Sequence, residues 1–100
     1  MFRNRQTLTL EAAEGIAAQG LAFLAEDSAR FSRFLAVTGL TPDQIHAQVQ
    51  TPEFLAAVLE HLVGDESLLL VFAANASVAP ETVAPALALL QRACNGAADP

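Results

Sequence analysis

Apolar residues return every three or four positions along most of this chain, in stretches separated by short breaks rich in polar residues, glycine or proline. That period belongs to α-helices with one buried face. Leu10, Ala13, Ala17, Gly20, Leu21 and Leu24 fall on one side of a helix predicted over 10–25. Thr9 precedes it, and Glu11 and Glu14 suit its electropositive start. Asp27 or Ser28 caps a second helix over 28–38, with the stripe Phe31, Phe34, Leu35 and Thr38 and a left-handed stop at Gly39. In Thr41-Pro42-Asp43-Gln44 a cap, a proline at the first helical position and a capping-box glutamine coincide. They start a short helix over 42–50, with Ile45 and Val49 inward. Thr51-Pro52-Glu53 repeats the device and starts a helix over 52–63 with the face Leu55, Val58, Leu59 and Leu62, ended by Gly64. Asp65 caps a helix over 66–76 in which Leu68 to Ala74 are apolar all round, which predicts burial on most sides. Pro80 opens the last helix, over 80–94, carrying Val83, Leu87, Leu90 and Cys94. Pro85, one turn inside it, predicts a kink or a detached first turn. Gly15 and Gly20 each weaken the first helix, unless another helix packs closely against the bare backbone.

A shift of 38 residues lays the sequence over itself. Phe34 to Val37, Leu40, Pro42-Asp43 and Ile45 fall on Phe72 to Asn75, Val78, Pro80-Glu81 and Val83. Leu21, Leu24 and Asp27 fall on Leu59, Leu62 and Asp65. Caps and prolines align as well as apolar positions, so the reading is an internal duplication of a three-helix unit, 15–45 and 53–83. Two units are too few for a solenoid and imply a closed globule with pseudo-twofold character. The fold class expected is all-α, an orthogonal or irregular bundle of five to six helices. Its core is expected to be Leu21, Leu24, Phe34, Leu35, Ile45, Leu55, Val58, Leu59, Leu62, Leu69, Phe72, Val83, Leu87 and Leu90. A single domain over 9–95 is expected, after a flexible 1–8 and before a disordered tail at 96–100.

Charge narrows the function classes. The 100 residues carry a formal charge of −6, no lysine and five arginines: Arg3, Arg5, Arg30, Arg33 and Arg92. Nucleic acid and anionic membrane both call for a basic field, so both are disfavoured. The residues after Met1-Phe2-Arg3-Asn4-Arg5 hold no apolar signal-peptide core, because Thr7, Thr9, Glu11 and Glu14 interrupt them. The longest strictly apolar run, Leu68 to Ala74, is far below the ~20 residues of a spanning helix. A cytoplasmic protein is the simplest expectation.

Chemistry is sparse. His46 and His61 lie fifteen residues apart with no metal-ligand spacing around them. His61 reads as a histidine at a helix C-terminus. Cys94 is the single cysteine and reads as a small buried hydrophobe. The acidic residues sit at helix starts and on polar faces. No cofactor, metal or catalytic residue is expected, and no enzyme activity. The stretch from Phe34 to Val49 has the rhythm of a helix-turn-helix, but its second helix offers Asp43, Gln44, His46, Gln48 and Gln50 and no arginine.

Phe23-Leu24-Ala25, Arg33-Phe34-Leu35-Ala36-Val37-Thr38-Gly39-Leu40, Phe54 to Leu59 and Asp65-Glu66-Ser67-Leu68-Leu69-Leu70 resemble an uncharacterised family of small bacterial all-helical proteins classed as a domain of unknown function. The resemblance covers about residues 9–91. It implies the helical fold and a long last helix, and brings no activity or site residues. The function expected is therefore a non-enzymatic protein–protein interaction module, bound to an unidentified protein or to a second copy. Phe23, Phe31, Arg30, Arg33, Leu70 and Val71 are the expected surface, with Phe2 a further spare apolar residue. A divergent helix-turn-helix DNA-binding regulator and a small hydrophobic-ligand carrier are the alternatives.

Overall fold

Helices form where the capping signals stand. The computed structural model describes residues 8–96. Along them run α1 (Leu10–Ala25), α2 (Ser28–Thr38), α3 (Pro42–Gln48), α4 (Pro52–Val63), α5 (Glu66–Ala76) and α6 (Pro80–Gly96), with no strand among the described residues. Each of the first five has a side-chain cap, which answers backbone N–H groups that would otherwise lack partners. Thr9 accepts from Ala12, Asp27 from Ala29 and Arg30, Thr41 from Gln44, Thr51 from Phe54, and Asp65 from Leu68. The Gln44 side chain returns a bond to the Thr41 N–H at 2.9 Å, closing the capping box. Gly39 takes the left-handed conformation at φ 75°. Ser77 does the same at φ 56° after α5, and the Val78 N–H closes that turn on the Ala73 carbonyl at 2.9 Å.

α1, α4 and α6 pack on one another and form the centre of the molecule. α2 lies on α1, and α5 lies on α4, α1 and α6; α3 is peripheral. α5 and α6 meet at 101°, so the crossing is near-orthogonal, and no single helix is long and apolar enough to cross a membrane. The fully buried side chains are Phe34, Phe54, Phe72, Leu24, Leu59, Leu62, Leu90, Val58 and Val83. Three of them are phenylalanines that stitch outer helices to the centre. Phe34 of α2 meets Phe54 of α4 edge-on at 6.1 Å, and Phe72 of α5 meets Phe23 of α1 at 5.6 Å.

Several expectations change. α5 is not buried on most sides: Phe72 and Ala73 are inside, Leu68 and Leu69 are half-buried, and Leu70 and Val71 are 49% and 46% exposed. A peripheral helix has only one face against the centre, whatever its composition. Leu21, Leu35, Leu69 and Leu87 stand at the rim of the core rather than in it. Phe54, Ala13, Ala17 and Ala86 are buried in addition to the expected set, the alanines because close helix crossings leave room for little more. α6 continues through Pro85 without losing its first turn. Pro85 is exposed, so the carbonyl it leaves without an N–H partner can turn to water. The helix 3 expected to reach residue 50 stops at Gln48. The expected flexible start and disordered tail, and Phe2, lie outside the described residues except for Leu8 and Gly96.

Candidate functional site

Ala57, Glu60 and His61 on one face of α4 and its C-cap Gly64, spaced i, i+3, i+4 and i+7, form one wall of a groove. Arg33, Val37 and Thr38 of α2 form the opposite wall, and Asp65, the cap of α5, closes one end. The groove holds about 660 Å³. Val37 is 67% exposed within it, the most exposed large apolar side chain among the described residues. Thr38 is tied down, because its hydroxyl donates to the Phe34 carbonyl at 2.8 Å and accepts from the Leu40 N–H at 3.3 Å. No ion pair within 4.0 Å joins Arg33 to Glu60 or Asp65 among the described residues.

His61 is a half-buried member of the α4 wall. Its ring meets Phe34 edge-on, with centroids 5.3 Å apart and planes at 72°. Its Nε2 is buried and has no hydrogen-bond partner. Burial holds the imidazole below its ordinary pKa; Asp65 pulls it back up and Arg33 pushes it further down. His61 is therefore mainly neutral near pH 7. The expectation of a helix-end histidine is met in position, since His61 lies in the last turn of α4. Its neutral form forgoes most of the charge–dipole attraction.

A second groove, of about 280 Å³, lies between α1 and α5 and is lined by Gln19, Ala22, Phe23, Glu26, Phe72, Asn75 and Ala76. Shifted by 38 residues, its lining falls on that of the first: Gln19 on Ala57, Ala22 on Glu60, Phe23 on His61, Glu26 on Gly64, Asn75 on Val37 and Ala76 on Thr38. The ring contacts correspond too, Phe34 on His61 and Phe72 on Phe23. A third groove, of about 290 Å³, contains both helix caps, Asp27 and Asp65, and the corresponding pair Arg30 and Leu68, together with Arg33 and His61. The corresponding positions differ in chemistry: Arg33, Glu60 and His61 fall on Val71, Ala22 and Phe23, whereas Ala57 and Gly64 fall on Gln19 and Glu26.

Of the expected surface residues, Phe23 is buried and the others are half-buried or exposed. Phe23 is 4% exposed, packed on Phe72 and covered by Arg30, whose guanidinium carbon stands 4.3 Å from the ring centroid. It is a core residue, because α5 and the Arg30 side chain close over it. Phe31 is half-buried and stacked on Phe34 at 6.5 Å. Arg30 and Arg33 share the third groove, and Arg33 also lines the first. Leu70 and Val71 are exposed on α5 and line neither of the first two grooves. Glu60, His61, Asp65 and Val37 were not expected at a common site. For Glu60, His61 and Val37 the signal was in the 38-residue alignment, where they fall on Ala22, Phe23 and Asn75; Asp65 falls on the identical Asp27 and gave none. Cys94 is half-buried, and burial with Glu53 nearby raises its thiol pKa. No group of three His, Cys, Asp or Glu able to hold a metal ion occurs among the described residues.

A protein-family model described as "Protein of unknown function (DUF3572)" matches residues 10–93. The chain belongs to this family. No curated protein and no solved structure matches it. The DUF3572 span takes in every residue of the grooves above. It is the same stretch, within a few residues, that the sequence resemblance covered.

Proposed function

We propose that this DUF3572 protein is a non-enzymatic protein-binding module whose working surface is the groove between α2 and α4. The observation that carries the reading is the contrast between the two grooves. Positions that correspond under the 38-residue shift hold Glu60 and His61 in one groove and Ala22 and Phe23 in the other, and Arg33 of the first groove corresponds to Val71, which lines neither; the one ionisable residue lining the second groove is Glu26, in place of Gly64. Unpaired charges beside an exposed Val37 suit a partner that brings both apolar and charged groups. The groove is open and its ionisable groups lie along its walls, which suits docking better than the closed polar pocket acid–base chemistry needs. A helix-turn-helix role fares worse: α3 is two turns long and presents Asp43, and the chain is strongly acidic. A carrier role calls for an apolar cavity, and the α2–α4 groove is lined by four ionisable side chains.

A photo-crosslinking amino acid at position 37, compared with one at 75, tests the reading in the native host. A discrete protein adduct from position 37, absent from 75 and lost on Arg33→Glu, is the expected result. Equal adducts at both positions, or none at either, would refute it.

A further inference from the structure

We infer that the partner seated on the α2–α4 groove is a second copy of this chain, related by a twofold axis through Val37. This rests on the protein-binding reading above and names its partner. A partner of one sign would be repelled somewhere along the groove: an acidic one by Glu60 and Asp65, a basic one by Arg33. What fits is a surface carrying both signs in reversed order around an apolar centre, and an isologous contact supplies that from the same residues. Val37, 67% exposed, meets its own counterpart at the axis. Arg33, from the α2 wall, faces the partner copy's Glu60, from the α4 wall, and the reverse pair forms by symmetry. Within one chain these two groups share a groove without forming an ion pair among the described residues, so both are free to pair across the interface. Both are exposed, so reversing their charge leaves the core untouched.

The experiment is sedimentation velocity of the full chain over a concentration series, for the natural sequence, Arg33→Glu, Glu60→Arg and the double variant. Far-UV circular dichroism monitors the fold of each. The natural chain is expected to dimerise. Each single reversal weakens the dimer by about tenfold or more, since it loses two cross-pairs and creates two repulsions. The double reversal restores it. A natural chain that stays monomeric up to millimolar concentration overturns the inference, as does a dimer that none of the reversals affects or one that the double variant fails to restore. If the chain is monomeric yet position 37 still crosslinks a different protein, the second-copy inference falls and the binding-module reading stands.

Discussion

Gly15 and Gly20 lie on one helix and meet opposite surroundings. A Cβ on Gly15 would touch nothing within 4 Å, whereas one on Gly20 would come 3.0 Å from Leu62 Cδ1 and 3.1 Å from Val58 Cγ1, both in the buried core. Sequence reasoning offered tolerance and close packing for both; the crossing of α1 and α4 assigns one to each. Gly15→Ala is expected to raise the unfolding free energy by about 0.5–1 kcal/mol through helix propensity. Gly20→Ala is expected to lower it by about 1 kcal/mol, overpacking outweighing the same propensity gain. Denaturant titration of the two variants checks the contrast. His61 gives a second prediction. Its folded pKa lies below its unfolded value near 6.5, so the folded state resists the proton. The neutral-His contribution is complete above that value and is lost as pH falls below it, until the lowered folded pKa is reached. His61→Phe, which copies the corresponding Phe23, removes an unpartnered buried nitrogen and this pH dependence. Its thermal stability should exceed that of the natural chain, with the margin widening as the pH drops from 7 toward 5. A margin that stays constant over this range would contradict the assignment.

Helix boundaries were legible because they are written in caps. Thr41, Thr51 and Asp65 cap where sequence reasoning put them, Asp27 rather than Ser28 caps α2, Thr9 adds a cap at α1, and α2 and α5 begin and end 38 residues apart at both termini. Less legible was how deep each helix sits. α5 has the most continuous apolar run in the chain yet lies outside the central trio, since composition reports what a face could bury and not how many neighbours reach it. The left-handed Ser77 was also missed. It corresponds to Gly39 under the 38-residue shift, but serine does not advertise a positive φ as glycine does. Ser77→Gly is expected to stabilise the protein by about 1 kcal/mol, by relieving the Cβ clash of that conformation. Asp65→Ala is expected to destabilise it by about 1 kcal/mol, through loss of the α5 cap. Thermal melts of the two variants should move in opposite directions.

At the scale of the whole molecule, three phenylalanines decide how the outer helices sit on the centre. Phe34 holds α2 on α4 between Phe54 and His61, and that docking opens the groove where Arg33, Glu60 and His61 meet. The sequence carried the parts of this site but not their meeting, because Arg33 and Glu60 are 27 residues apart on helices whose crossing no local signal encodes. It did carry the contrast with Val71 and Ala22. The proposed binding role rests on that contrast, with the α2–α4 groove as the partner surface and its 38-residue counterpart left free. Amide NMR spectra of the natural chain, recorded from dilute to concentrated solution, test this most directly. Concentration-dependent shifts are expected at residues 33–38 and 57–64, with 19–26 and 72–76 unchanged. Shifts confined to Leu70 and Val71 on the outer face of α5, or spread equally over both grooves, would contradict it.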